Sequence, residues 1–280
     1  MWIKIAVQEV SPITLVAFRV LFGLLFTLIV IFLQRPKMPR TFKEWFPILL
    51  LGVSNVAIPF LLISWGEQSI DSAVAAILDS TVPLFTIIIA HFLLHDDKMT
   101  VPKVFGLLIG FAGVIVLMSK DIGTTIGPIL GQAAVVLACV FYAISLVFAR
   151  RFTENTSGIL RSAGPLLSST VIMWLTAVIV ERPVKFPQLI ITWIALIWLG
   201  VLGSGLAFVL NYYLIHEIGP TRTSMVTYIF PLGGVVLGVT FLGEHLSWQL
   251  LVGGVLVIAS LAVANWKSKE ISPQGSDITA

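Results

Sequence analysis

The stretches LGVSNVAIPFLLISWG (residues 51–66) and LGVLGSGLAFVLNYYL (residues 199–214) decide the fold, because they lie 148 positions apart and align without a gap. Leu51-Gly52-Val53 falls on Leu199-Gly200-Val201, Phe60 on Phe208 and Leu62 on Leu210. The same offset holds outward from them. Ile70 falls on Ile218, Pro83-Leu84 on Pro231-Leu232, Asp96 on Glu244 and Gly106 on Gly254. Apolar matches arise by chance between membrane helices. Proline, glycine and acidic matches at one constant offset mark an internal repeat.

Both stretches belong to long uncharged runs, and so does most of the chain. Its 280 residues are 58% hydrophobic and 11% charged, with a mean hydropathy of +1.02. A soluble domain carries roughly 25% charged residues, so this chain has too little polar surface to face water all round. A helix needs about 20 apolar residues to cross the hydrocarbon core. Trp45–Gly66, Ile122–Ala149, Ser162–Val180, Phe186–Ile215, Thr223–Gly243 and Leu246–Trp266 are long enough, and Val104–Ser119 is shorter but apolar throughout. Ile13–Leu33 holds one charge, Arg19, and Ser72–Leu94 holds one, Asp79, which brings the number of complete spans to nine. Met1–Val7 reads as the tail of a tenth. It lacks the basic region and cleavage site of a signal peptide.

The repeat accounts for that short start. The second half has five spans, and its first, near 127–149, has a partner at about −21 to 1 by the 148-residue offset. The expected fold is therefore an all-α membrane protein of two inverted five-helix repeats, a ten-helix fold whose first helix is largely missing here. This implies a truncated chain or a misassigned start codon, and a cavity that gapes where that helix would pack. An odd number of spans per half turns the two repeats over relative to each other, the usual architecture of secondary transporters with a site near the midplane. The expected division is 1–119 for the first repeat, 127–266 for the second, and 267–280 as a disordered tail.

Cations set the orientation. With the C-terminus placed in the cytoplasm, 12 of the 17 Lys+Arg fall on that side and 4 (Lys4, Lys120, Arg182, Lys185) on the other, with Arg19 in the membrane. The expected location is the inner, or plasma, membrane, crossed many times. The net charge of +3 is small, and no nucleic-acid partner is expected. The partners expected are a small-molecule substrate and the lipid bilayer, with a monomer and a homodimer both compatible. Cys139 is the one cysteine and reads as a small packing residue.

Several stretches carry a resemblance. They are Trp2–Pro12 (WIKIAVQEVSP), Arg19, Ala75–Pro83 (AAILDSTVP) with Leu84-Phe85, His95–Lys103 leading to Gly106, and Gly110–Gly113. In the second half they are Thr223–Leu232, Gly243-Glu244 and Gly253-Gly254. Across nearly its whole length the chain resembles EamA-type members of the drug/metabolite transporter superfamily. The resemblance implies export of amino acids, other metabolites or drug-like compounds.

Arg19 and Asp79 are the formal charges deep within spans. A charge at the centre of a membrane helix costs about 2.5–3.5 kcal/mol on insertion scales, so each is expected to face inward and be paired. They form either a polar network beside the translocation path or a structural ion pair. Pro83 removes the hydrogen bond that the Asp79 carbonyl would accept, so Asp79 also reads as a cap at a helix break. As the one intramembrane acid, it is the candidate for any side-chain proton coupling. The expected substrate-binding residues are Asn55, Asp79, Gln132, Tyr142, Asn211, Tyr212 and Tyr228, walling a midplane cavity, because polar side chains at membrane depth avoid lipid. Trp65, Phe208 and Phe230 are candidate apolar walls. Singly, each polar residue is equally well read as an interhelical hydrogen bond, and glycine pairs such as Gly106/Gly110 as close packing.

No phosphate-binding loop is present, so no ATP site. His91, His95, His216 and His245 lack metal-ligand spacing. No cofactor, metal or catalytic residue is expected, and the chain is expected not to be an enzyme. The leading function is metabolite export by a secondary transporter working by alternating access without ATP. A non-transporting sensor or structural subunit and an intramembrane lipid-modifying enzyme are the alternatives.

Overall fold

A computed structural model describes residues 1–36, 41–93, 99–120, 126–153, 156–218 and 229–264, without the side chains of 212 and 215–218. The tail 267–280 lies outside the described residues. No strand occurs among the described residues. The helices are α1 (Trp2–Ala6), α2 (Pro12–Gln34), α3 (Phe42–Gly66), α4 (Ser72–Leu93), α5 (Val101–Ser119), α6 (Ile126–Phe152), α7 (Gly158–Val180), α8 (Ile190–Asn211), α9 (Ile229–Leu242) and α10 (Trp248–Ala264). Seven of them, α2 through α8, are long and apolar enough to cross a membrane, and α9 and α10 are shorter apolar helices. These nine match the nine expected spans in order and place.

Local chemistry sets several of the boundaries. Ser11-Pro12 opens α2, with the Ser11 hydroxyl accepting the Thr14 N–H at 3.1 Å and proline at the first turn, where its missing N–H costs nothing. Gly243 ends α9 in the left-handed region, at φ +65°, a conformation that side chains with a Cβ disfavour. α4 is two helical pieces, Ser72–Asp79 and Val82–Leu93, broken just before Pro83.

The packing repeats itself when the halves are exchanged. The repeat partners α2 and α7 pack on each other, as do α4 and α9, and α5 and α10. Other contacts come in swapped pairs: α3 with α6 mirrors α8 with α1, and α3 with α7 mirrors α8 with α2. A pseudo-two-fold relation produces this pattern, with the self-pairing helices nearest the axis.

Small residues let these helices approach. A Cβ on Gly52 would lie 2.5 Å from the Pro165 carbonyl oxygen of α7, and one on its repeat partner Gly200 would lie 2.7 Å from the Arg19 carbonyl oxygen of α2. On α5, a Cβ at Gly106 would lie 2.5 Å from the Ala264 methyl of α10. Packing of backbones, rather than a hydrophobic drive, holds membrane helices together, and the glycines expected to pack closely do so. Leu25, Ile29, Phe105, Leu108, Ile115, Val171 and Leu175 project outward from the spans, as a lipid-facing surface requires.

At the same repeat position, both halves widen into π-helix. In α3 the π segment is Gly52–Ala57, and in α8 it is Trp198–Leu206. Such segments use i→i+5 hydrogen bonds and gather at functional sites.

Candidate functional site

Asp79 ends the first piece of α4, and one of its carboxylate oxygens, Oδ1, is enclosed without a hydrogen-bond partner. The break behind it is repaired locally. The Ser80 hydroxyl donates to the Ile77 carbonyl and the Thr81 hydroxyl to the Leu78 carbonyl, each at 2.6 Å. From α6 the Cys139 thiol reaches the Leu78 carbonyl at 3.3 Å and the Asp79 carbonyl at 4.0 Å. Cys139 therefore fills the break that Pro83 creates, and the Asp79 side chain is left over from the repair.

Arg19 crosses from α2 into the π segment of α8. Its Nε–H donates to the Ser204 hydroxyl at 3.0 Å, and the Ser204 hydroxyl in turn donates to the Leu199 carbonyl, five residues back, at 3.1 Å. The guanidinium carbon stands 3.7 Å from the centroid of the Phe60 ring of α3, a cation–π contact. Only 9% of Arg19 is exposed. Of the readings open for Arg19 and Asp79, the direct ion pair is not formed. Among the described residues Arg19 is in no salt bridge, and the ion pair found is Lys120 with Asp71, at 3.6 Å. Arg19 and Asp79 do sense each other electrostatically, and Tyr142 senses both. The Ser204 hydroxyl and the Phe60 ring are the contacts the guanidinium makes instead.

Of the other expected site residues, Gln132 is buried on α6. Tyr142 is half-buried and packs against both of the larger apolar cores, which places it where they meet. Asn55 is half-buried in the π segment of α3, beside Ser54, whose hydroxyl accepts from that of Ser145 on α6 at 2.8 Å. Asn211 is exposed at the end of α8. The side chain of Tyr212, and Tyr228 entirely, lie outside the described residues. Phe208 packs on the core that holds Phe60, whereas Trp65 and Phe230 are exposed. Sequence reasoning weighed Arg19 and left it out of the site. It missed Phe60 and Ser204, for which the i, i+5 spacing of Leu199 and Ser204 is no signal without knowledge of the π segment.

A second missed feature is a set of carboxylates at one membrane face. Glu244, beyond the end of α9, accepts the Ser72 N–H and hydroxyl at 2.7 Å each and the Ala73 N–H at 3.0 Å. It thereby caps the start of α4 in the other half. The turn at Gly243 places it there, with the Glu244 N–H on the Gly238 carbonyl at 3.1 Å. Glu181, at the end of α7, accepts the Ser11 and Thr14 hydroxyls at the start of α2. Glu9, after α1, accepts the Gln188 N–H and, at 3.0 Å, the Leu189 N–H at the start of α8. Each staple joins one half to the other, and each puts a negative charge on a helix N-terminus.

Glu67 lies on the same face, just past the end of α3, and is only 5% exposed. Lys4 donates to the Glu67 and Ile70 carbonyls at 2.8 and 2.7 Å. Burial pushes the Glu67 carboxyl up to about 7, with Glu244 adding to the rise and Lys4 and Arg19 opposing it.

The fold and this arrangement define a multi-pass helical membrane protein with charged groups enclosed between two repeated halves. The model of the EamA-like transporter family matches residues 1–119 and 129–266, and the chain belongs to that family. Among curated proteins, it is 28% identical over 266 residues to the inner membrane transporter YedA of Escherichia coli K12, covering 93% of this chain and 84% of that one. It is 23% identical over 263 residues to the transporter YoaV of Bacillus subtilis, covering 92% and 88%. It is 24% identical over 287 residues to a chloroplastic WAT1-related protein of Arabidopsis thaliana, covering 98% and 67%. A crystal structure with 20% sequence identity has the same fold, at a TM-score of 0.69 over 94% of this chain and 93% of that one.

Proposed function

We propose that this membrane transporter exports small metabolites by alternating access, without ATP, and is not an enzyme. The observation that carries the reading is the burial of Arg19 and of one Asp79 carboxylate oxygen, Oδ1, without a direct ion pair between them. Unpaired charge at membrane depth is costly, and a solute path is the usual reason for it. The packing that survives exchange of the halves supports two mirror-related states, each opening to one side. The cavity proposed is lined by Asn55, Asp79, Gln132, Tyr142, Asn211, Tyr212 and Tyr228, between repeats at 1–119 and 127–266. The proposed location is the inner membrane with the C-terminus cytoplasmic, on the strength of the 12-to-4 cation bias.

Counterflow in proteoliposomes tests this. Vesicles containing the chain and preloaded with unlabelled metabolites are expected to accumulate the same labelled metabolite without ATP. Absence of flux across a broad panel of amino acids, organic cations and drug-like solutes would sink the transport reading. Reporter fusions at the C-terminus check the orientation, a periplasmic reporter being the adverse result.

A further inference from the structure

Glu67 stands on the stapled face, and its carboxylate caps no helix among the described residues. The side chain is buried, and its Oε2 is enclosed with no hydrogen-bond partner among those residues. It opens the turn that joins α3 to α4, and that turn is clamped from both halves. From α1, Lys4 donates to the Glu67 and Ile70 carbonyls rather than to the carboxylate. From beyond α9, Glu244 holds Ser72 and Ala73 at the end of the turn. From the start of α6, the Gly127 carbonyl accepts the Ser69 hydroxyl at 3.1 Å. A Cβ on Gly131 of α6 would lie 2.9 Å from the Gly66 carbonyl oxygen.

The cover over Glu67 is therefore shared between the halves. α4 and α9 close the same face, where a Cβ on Gly238 would lie 3.5 Å from the Ala73 methyl. Parting the halves here draws Glu244 and α6 away from Glu67 and admits water to it. The charges that act on the carboxyl are the Met1 amino group and Lys4 on α1, Glu244, and Arg19 on α2. α6 carries Cys139 and Tyr142 farther along the span, but Ile126–Ala149 holds no Asp, Glu, Lys, Arg or His. At the end of the turn, Asp71 is paired with Lys120. Burial outweighs the cations, so the closed face keeps the carboxyl protonated up to about 7, against an ordinary 4.5. In the parted form, water restores the ordinary value.

Resting on the transport reading above, we infer that Glu67 is a proton-binding site that latches the stapled face: protonated and buried it holds the face closed, and loss of its proton to water on that side favours the parted form. In that step the carboxyl O–H bond breaks, its electron pair stays on the carboxylate, and the proton leaves to the side opposite the C-terminus. The sign follows from the higher value in the closed form. The latch is fully set below pH 4.5 and is released as pH rises through about 7, with the parted population gaining at most about tenfold per pH unit between them.

The test uses the full chain in lipid nanodiscs, spin-labelled at Gln68→Cys in the first half and Lys185→Cys in the second, both exposed positions. Cys139 is buried and stays unlabelled. Distances between the labels are measured at pH 5, 6, 7 and 8, and the parted fraction is expected to rise at least about tenfold across that range. Glu67→Gln, a fixed stand-in for the protonated form, is expected to stay closed throughout. The staple carboxylates are unchanged in it, so its difference from the unsubstituted chain belongs to Glu67. If Glu67→Gln does not fold, Lys4→Met decides. It removes a charge that favours the carboxylate, so the midpoint of the pH response should move upward. The inference is overturned if the parted fraction changes by less than about twofold between pH 5 and pH 8, if Glu67→Gln keeps the full response, or if Lys4→Met leaves the midpoint in place. Counterflow in proteoliposomes at the same pH values separates the latch from the transport reading. Flux with no pH response of the face rejects the latch while the transport reading stands. A pH response with no flux upholds the latch and rejects the transport reading, and absence of both rejects the two together.

Discussion

Replacing Glu244 by alanine should loosen one face of the protein by a definite amount. The carboxylate accepts two backbone N–H groups and one hydroxyl at 2.7–3.0 Å. Loss of a helix N-cap costs about 0.5–2 kcal/mol, and a hydrogen bond to a charged group contributes about 1.5–3 kcal/mol. Glu244 is only half-buried, so water recovers part of the loss, and about 2–3 kcal/mol is expected in all. Ser72→Ala removes the hydroxyl bond alone and should cost about 1 kcal/mol. The double variant should cost less than the sum, because both single changes break the same bond. The assay is denaturant unfolding in detergent micelles, with hydrogen exchange measured at the Ser72 and Ala73 amides. Those amides should exchange faster in Glu244→Ala, while those of α7 stay protected. If stability changes by less than about 0.5 kcal/mol and the two amides exchange as before, the carboxylate does not cap α4 and the stapled face is misread.

Three more outcomes follow from the same geometry. Gly106→Val should destabilise by about 1–3 kcal/mol through overpacking against Ala264, read by the same unfolding assay, and a neutral result would place α5 and α10 farther apart. Cys139→Val should cost about 1 kcal/mol by removing the donor to the Leu78 carbonyl, with Cys139→Ser partly restoring it, and equal stability of all three forms would be the adverse result. For Glu67 the folded-state value of about 7 lies above the ordinary carboxyl value of 4.5, so the folded protein keeps a proton that the unfolded chain releases. That contribution is fully present below pH 4.5 and is lost as pH rises through about 7, an effect of roughly 3 kcal/mol at most. Unfolding at pH 5 and pH 8 should show the loss, Glu67→Gln should abolish it, and an unchanged pH dependence in that variant would refute the assignment.

The spans were legible because hydrocarbon imposes length and composition directly: runs such as Trp45–Gly66 and Leu246–Trp266 became α3 and α10 with shifts of only a few residues at their ends. The repeat was legible because Pro83, Gly52 and Glu244 do positional work that apolar residues do not. The break at Asp79 was legible for the same reason, through the missing N–H of Pro83. What stayed hidden depended on register and reach. Hydropathy does not distinguish an i→i+4 turn from an i→i+5 turn, so the widened segments of α3 and α8 had no signature. An ion pair with the opposite charge was one reading open for Arg19. The side chain instead found a nearer hydroxyl, because Gly200 brings α8 against the Arg19 backbone and delivers Ser204 to its Nε. The carboxylate staples were hidden because Glu9, Glu181 and Glu244 are far from their partners in sequence, and the repeat that marks Glu244 does not say which helix start it caps.

The three staples act in parallel. Each ties an N-terminal helix turn of one half to a carboxylate of the other, all at one face, so a rigid parting of the halves there has to release them together. Their contributions then enter one exponent. A loss of about 1.4 kcal/mol in any of them multiplies the parted population tenfold, whichever glutamate is changed. The sites thus form one exchange currency for conformational bias: a weakened Glu9 can be offset by a strengthened Glu181, with nothing altered at the membrane midplane. Sequence change at these surface connections would then retune how long the protein dwells in each state while leaving what it recognises untouched.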